Sequence, residues 1–376
     1  MVPFLDLKSQ YAAIKPDVDK AVIDVLESGQ YVLGPAVARF EAAFGAAYGI
    51  KHAIGCSSGT AALHLALLAA GIGRGDEVIT TTMTFIATAT AIDLVGATPV
   101  FADIEPDTAL LDAGRIAAAI TPRTKAIMPV HLYGQCADMG AIQRIADQHG
   151  LIVIEDAAQA HGAKLGDRFA GTMGRMSCFS FYPGKNLGAY GEGGLVATSD
   201  DALATRLRML RDWGQDRKYN HVIKGLNYRM DGVQGAVLDI KMRHIEAWTE
   251  ARRQVAAWYQ EALGNTPGIT LPVERAGRRH VWHVYGILVA PQQREAIMAG
   301  LTARGIGTNL HYPTPVHLQP CFAELGRGRG SFPLAEHHGA AELSLPMFPE
   351  MTRAQVDEVA KALREVMAEV TAKVPA

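Results

Sequence analysis

Residues 151–185 read LIVIEDAAQAHGAKLGDRFAGTMGRMSCFSFYPGK, and this stretch decides the fold. It opens on one continuous apolar run, LIVIED, and closes on another, SCFSFY, with small and turn-forming residues between them. Strands that are apolar on both faces belong to a parallel sheet covered on both sides. In an open sheet of this kind, ligands lie beyond the carboxyl ends of the strands. Those ends deliver Asp156, followed by Gln159 and His161, and then Ser180, followed by Lys185 about one crossover unit after Asp156. Lys185 is the one lysine in FSFYPGKNLGAYGEGGLVAT (residues 179–198), at a bend between Gly184 and Asn186.

The pattern extends in both directions. Strands are predicted from Glu77 (EVITTT), Thr98 (TPVFADI), Lys125 (KAIMPVH), Leu151 and Met176, with helices over residues 12–28, 85–95 and 138–150. GGLVATSD, from Gly193, predicts a further strand, and residues 201–213 a helix. One long helical pattern over residues 231–263 stops at GNTPG. Beyond it the composition changes to a βαβ-like segment: HVWHVYGILV, a helix over residues 292–304, then IGTNLHYP. The expectation is an α/β protein whose mostly parallel central sheet carries helices on both faces. Residues 1–240, N-terminal segment included, form the large domain and 241–376 a smaller one.

The composition bounds the function. A chain of 376 residues, 49% hydrophobic and 20% charged, can bury one large core and a second, smaller one. Its formal charge of -2 and its lack of a basic block argue against nucleic acid as a partner. The N-terminus, MVPFLDLKSQYAAIKPD, has acidic residues where a signal peptide needs an apolar core, and the longest apolar run is too short for a bilayer. A cytoplasmic protein without membrane partners is expected. Cys56, Cys136, Cys178 and Cys321 lack metal-ligand spacing, so buried free thiols and no structural metal are expected.

A third feature lies upstream, where CSSGTAALHLALLAAG puts Ser58, Gly59 and Thr60 at the start of a very apolar helix. A small-residue turn opening a buried helix offers unpaired N–H groups and the positive end of the helix dipole, which suit a phosphate. By itself the signal is weak, and capping is the commoner reason for a serine at Ser58. A lysine amine forms an imine with an aldehyde, a carboxylate keeps a pyridinium nitrogen protonated, and a helix N-terminus holds a phosphate. Together Lys185, Asp156 and the Ser58–Thr60 turn are what pyridoxal 5'-phosphate requires.

The motifs GTAALHLAL, TFIATATAI, VHLYGQ, IEDAAQAHGA, SFYPGKNLGAYGEGG, GLNYRMD and HYPTPVHLQP, in this order, resemble the DegT/DnrJ/EryC1/StrS family of nucleotide-sugar aminotransferases. The similarity runs from Phe4 to LSLPMFP and covers almost the whole chain. It implies fold type I with a smaller C-terminal α/β domain, pyridoxal phosphate alternating with pyridoxamine phosphate, and a homodimer with shared active sites. Lys185 would be the imine lysine and the acid/base, Asp156 the partner of the pyridine nitrogen, and Gln159 a neighbour of the cofactor's phenolic oxygen. Phe85 would stack on the ring; Gly59, Thr60 and Ser180 would bind the phosphate, with Asn227 reaching it from the neighbouring subunit. His311 and Tyr312 would contact the sugar, Arg229 the substrate across the dimer, and Arg217, Lys218 and Tyr219 an anionic diphosphate. For His131, His161 and His317, structural and functional readings stand level.

The resemblance implies amino transfer from L-glutamate to a nucleotide-linked keto-sugar. GQYVLGP and HYPTPVHLQP look more like members aminating C3 than C4. Alternatives are the C4 reaction, an inositol-type ketone, a sugar dehydratase of the same family, which would carry histidine at Lys185, and a cofactor-free regulatory protein.

Overall fold

The computed structural model describes residues 1–372. Seven strands make the central sheet: β1 (His52–Cys56), β2 (Glu77–Thr81), β3 (Thr98–Ala102), β4 (Thr124–Met128), β5 (Ile152–Asp156) and, after a small ribbon of β6 (Lys164–Leu165) and β7 (Arg168–Phe169), β8 (Met176–Ser180) and β9 (Gly194–Thr198). Their spatial order is β1-β9-β8-β5-β4-β2-β3. β9 runs antiparallel to both its neighbours, whereas the pairs from β8 through to β3 are parallel. No crossover helix lies between β8 and β9, and β9 returns antiparallel. The mostly parallel sheet is as expected, and the strand foreseen at Gly193 is β9; β1 has no clear pattern in the sequence, being five residues with a glycine inside.

Helices flank the sheet: α1 (Leu7–Ser28), α2 (Gly34–Tyr48), α3 (Gly59–Ala69), α4 (Ala87–Leu94), α5 (Met139–His149), α6 (Asp201–Arg211) and α7 (Gly232–Met242). Side-chain caps set several of their starts: Asp6 accepts from the N–H groups of Lys8 and Ser9, Asp138 from Ala141, and Asp200 from Ala202 and Leu203. Gly29, Gly49 and Gly150, all left-handed, end α1, α2 and α5. Alternation along the strands builds two apolar layers, one on each face of the sheet. Val153, Phe179, Phe181 and Leu195 meet α2, while Ile154, Cys178 and Val196 meet α3 and α6.

The helix predicted over residues 231–263 is two helices, α7 and α8 (Ile245–Leu263), divided at Arg243 and His244. α7 lies against α1 and α2, and α8 turns away to pack on α11 (Arg353–Ala372), so no straight helix could serve both contacts. A separate core then follows, containing Val255, Tyr259, Tyr285, Leu343 and Leu363. The N-terminus belongs there too, because Val2 is part of that core and exchanges backbone hydrogen bonds with Gly305 and Gly307.

After the ribbon β10 (Gln215–Arg217) and β11 (Asn220–His221), this second core is built on β12 (Ile269–Thr270), β14 (Tyr285–Val289), α9 (Arg294–Ala303) and β15 (Glu342–Leu345), with α10 (Pro333–Ala341) beside β14, while β13 (Arg278–Arg279) returns to pair with β6. The sheet β12-β14-β15 is antiparallel, which corrects the βαβ-like expectation. IGTNLHYP forms no strand beyond two isolated bridges, Ile306 to Val2 and Asn309 to Ser344, and Pro313 at its end, with Pro315 just beyond, lacks the donor to extend it. Cys56, Cys136 and Cys178 are buried free thiols as expected; Cys321, on a short 3-10 turn before the glycine-rich loop, is exposed. Among the described residues no helix is long and apolar enough to cross a membrane.

Candidate active site

Successive strand residues point to opposite faces, so β5 turns Glu155 one way and Asp156 the other, toward α3 and α4. Ser180 has the same parity on β8, and β5 and β8 are adjacent, with Asp156 opposite Cys178. Both side chains therefore emerge on one side of the sheet, at its carboxyl edge. They line a cleft of about 630 Å³ together with Lys185, Phe85, His311 and Tyr312.

The Asp156 carboxylate accepts from the Thr88 hydroxyl (2.8 Å) and from the Ala158 N–H (3.1 Å). Burial raises its pKa, opposed by those two donors and by the Lys185 ammonium. Lys185 itself is pushed down to about 8 by burial, with Asp156 pulling the other way. The lysine turn is held at both ends: the Lys185 N–H donates to the Tyr182 carbonyl (2.8 Å), and the next side chain, Asn186, donates to the Val281 carbonyl (2.8 Å) and meets His283 Nδ1 (3.2 Å). Beneath it, Phe40, Phe44 and Phe181 pack edge to face, pairs worth about 0.5–1.5 kcal/mol each beyond their burial.

At the start of α3, the Ser58 hydroxyl accepts from Ala61 N–H (3.0 Å) and the Ser58 carbonyl from Ala62 N–H (3.0 Å). The Gly59 and Thr60 N–H groups have no acceptor among the described residues, and both residues line the cleft. A Cβ on Gly59 would stand 2.6 Å from Ser180 Cβ, so only glycine lets the helix end approach β8 this closely. Ser58 is thus a cap first, at the mouth of a cradle with free donors and the Ser180 hydroxyl. A phosphate on that cradle, an aldehyde against Lys185 and a ring nitrogen at Asp156 are mutually compatible, so the residues present fit pyridoxal phosphate.

Gln159 accepts from the Tyr133 N–H (2.6 Å) and donates to the Tyr312 hydroxyl (3.1 Å), which joins the two halves of the chain across the cleft. Phe85 is 54% exposed and leans toward Tyr312, with ring centroids 5.6 Å apart, so one ring face is open to the cleft. His311 stacks on Phe4, and its Nδ1 lies 2.7 Å from the Ser344 hydroxyl.

Other candidates lie elsewhere. Asn227 is exposed outside its own chain's cleft, and Arg229 is paired with Asp212 at 3.0 Å. Arg217 and Tyr219 are exposed on the β10–β11 ribbon. His131 is bound to buried Glu155 (2.8 Å) and His317 to Thr82 (2.7 Å) and Glu336 (3.2 Å). His161 is buried against Phe179 and Phe181, and burial pushes it down to about 3. Thr88, Asn186 and Tyr133 were not singled out in the sequence. Thr88 stands one residue into α4, three after Phe85, and that offset within TFIATATAI was the available sign; Asn186 and Tyr133 act through backbone contacts that no spacing reveals.

The profile described as the DegT/DnrJ/EryC1/StrS aminotransferase family matches residues 12–364. A "Pleiotropic regulatory protein" of Geobacillus stearothermophilus is 48% identical, over 97% of this chain and 98% of its own length. The dTDP-3-amino-3,4,6-trideoxy-alpha-D-glucose transaminase of Streptomyces venezuelae is also 48% identical, over 97% of this chain and 96% of its own. The crystal structure of S. venezuelae DesV in complex with a ketimine intermediate superposes with a TM-score of 0.94 at 47% identity, covering 97% of this chain and 98% of that one.

Proposed function

This chain belongs to the DegT/DnrJ/EryC1/StrS aminotransferase family, and from that premise we propose that it is the pyridoxal phosphate-dependent transaminase that moves an amino group from L-glutamate to the C3 ketone of a nucleotide-linked keto-sugar. The observation that carries the reading is one cleft holding a buried lysine amine, a buried carboxylate and the open N-terminus of α3. The 3-amino sugar in the name of the S. venezuelae relative supports C3 over C4. The other relative's regulatory name does not weigh against catalysis here, since a purely regulatory protein has no use for a buried lysine facing a buried aspartate.

Bound in the cleft, the cofactor supplies an aldehyde to take up the amine and a ring to accept the electron pair of the carbon that loses its proton. Gly59 and Thr60 N–H groups with the Ser58 and Ser180 side chains would hold the phosphate, and Asp156 the protonated ring nitrogen. Gln159 would lie beside the phenolic oxygen and Phe85 over the ring. Lys185 Nζ would take the proton from the donor's α-carbon and return one to the sugar carbon, a task suited to an amine whose pKa lies near neutrality. His311 and Tyr312 would meet the sugar.

Two copies would share each site, with Asn227 of one reaching the phosphate in the other and Arg229 turned toward the substrate; the support is the exposure of Asn227 outside its own cleft. A cytoplasmic place agrees with three buried free thiols.

The test is an absorbance spectrum of the purified protein, before and after L-glutamate and then with nucleotide-linked 3-keto and 4-keto sugars. The band of the lysine-bound cofactor should fade with glutamate and return with a 3-keto sugar. Return with only a 4-keto sugar moves the reaction to C4; no response to glutamate removes the donor.

A further inference from the structure

Below the sugar side of the cleft lies a chain of polar groups that the reaction as described does not use. Glu342 and Ser344 are alternate residues of β15, so their side chains share one face of the strand. Both are wholly buried. One Glu342 oxygen, Oε2, accepts the backbone N–H of His311 at 2.8 Å. The other, Oε1, accepts the Ser344 hydroxyl, and the same Ser344 oxygen lies 2.7 Å from His311 Nδ1.

A hydroxyl has a single hydrogen. Burial raises the Glu342 pKa to about 7, so above that pH it is a carboxylate that only accepts. The Ser344 hydroxyl, donated to it, is then not available to the histidine, and the Ser344 oxygen accepts from His311, with the proton on Nδ1. Burial pushes His311 down to about 4, which keeps the ring neutral with one N–H. Nε2 is then a bare acceptor. It has no partner among the described residues, although His311 lines the cleft. The ring has little freedom to turn away, because Phe4 stacks on it and the Tyr133 hydroxyl holds the His311 carbonyl.

We propose that Glu342, acting through Ser344, fixes His311 in its Nδ1–H form, so that the nitrogen presented to the sugar accepts a hydrogen bond and selects a substrate offering a neutral donor there. A ring hydroxyl or an amide N–H satisfies that contact. A carboxylate oxygen is repelled by the lone pair. Glu342 and Ser344 are positioning residues, since neither touches substrate, and the proposal rests on the reading above that His311 meets the sugar.

The experiment uses the holoenzyme at pH 8, labelled with 15N-histidine, with the His311 signal identified by its loss in His311→Asn. Long-range 1H–15N correlations should show His311 protonated on Nδ1, and Ser344→Ala should move it to Nε2 or to a mixture. In parallel, Ser344→Ala should raise KM for the keto-sugar roughly tenfold, about the worth of one lost hydrogen bond, with kcat and the glutamate half-reaction unchanged. A wild-type His311 protonated on Nε2, or a Ser344→Ala enzyme with an unaltered tautomer and KM, overturns the proposal. Glu342→Gln gives a second route, because its amide can donate to Ser344 and reverse the chain; an unaltered tautomer in that variant also counts against it. If wild-type His311 carries its proton on Nδ1 yet no keto-sugar is turned over, the transaminase reading has failed and the relay stands.

Discussion

The Thr88 hydroxyl is the sole side-chain donor to Asp156 among the described residues, and Thr84 in turn lies 2.8 Å from Thr88. Hydrogen bonds to ionised groups contribute about 1.5–3 kcal/mol. Thr88→Val, which keeps the shape and removes the hydroxyl, should weaken cofactor binding to the apoprotein roughly tenfold or more, while Thr88→Ser stays near wild type; titration followed by absorbance measures both. Lys185 sets a pH dependence of its own. Its neutral amine is the nucleophile, so cofactor uptake by the apoprotein should quicken from pH 7 to 9 with a midpoint near 8. The folded value lies below the ordinary 10.5, so the folded state binds fewer protons than the unfolded one between about 8 and 10.5. The apoprotein should therefore gain stability from this group as pH rises through that window, and Lys185→Met should remove the gain in urea unfolding. Asp156 and Lys185 were legible in the sequence because strand ends and turns are marked by apolar runs and by glycine and proline. Thr88 was not, since a threonine in a helix has many harmless uses.

At the scale of elements, the proposed phosphate cradle is a contact between the start of α3, the end of β8 and the start of β9. Gly194 shows how close it is: a Cβ there would stand 2.0 Å from the Ser58 carbonyl. Gly59→Ala must push α3 away from Ser180, and overpacking of this kind costs about 1–3 kcal/mol. Urea unfolding of the apoprotein should register that loss, and cofactor titration should show binding weakened further than in Ser58→Ala, where removal of an N-cap costs about 1 kcal/mol. Most strands were legible because they are continuous apolar runs. The division of α7 from α8 was not, because helical periodicity continues through Arg243 and His244 and only the two different packing partners separate them. IGTNLHYP misled for the opposite reason: it reads as a strand, but it pairs only at isolated bridges from Ile306 and Asn309, and Pro313 denies it a ladder.

At the scale of the whole molecule, the shared-site reading makes a prediction that no single chain could meet. Asn227→Ala should lower cofactor retention without changing the unfolding midpoint. Lys185→Ala should be inactive and lack the absorbance of lysine-bound cofactor. When the two variants are mixed and allowed to exchange subunits, one site per mixed dimer regains both Lys185 and Asn227, so activity should rise above either alone; no gain on mixing would sink the shared site. From the sequence by itself came the α/β sheet, the lysine and carboxylate at neighbouring strand ends, and the helix start suited to phosphate, because each is a local pattern of period, turn or cap. Only the tertiary structure decided that Thr88 orients Asp156, that Gln159 joins Tyr133 to Tyr312, that Val2 completes the second core, and that Glu342 and Ser344 stand behind His311. Those pairs lie far apart along the chain, and a hydrogen bond of a few ångströms depends on how layers pack, which no local spacing records.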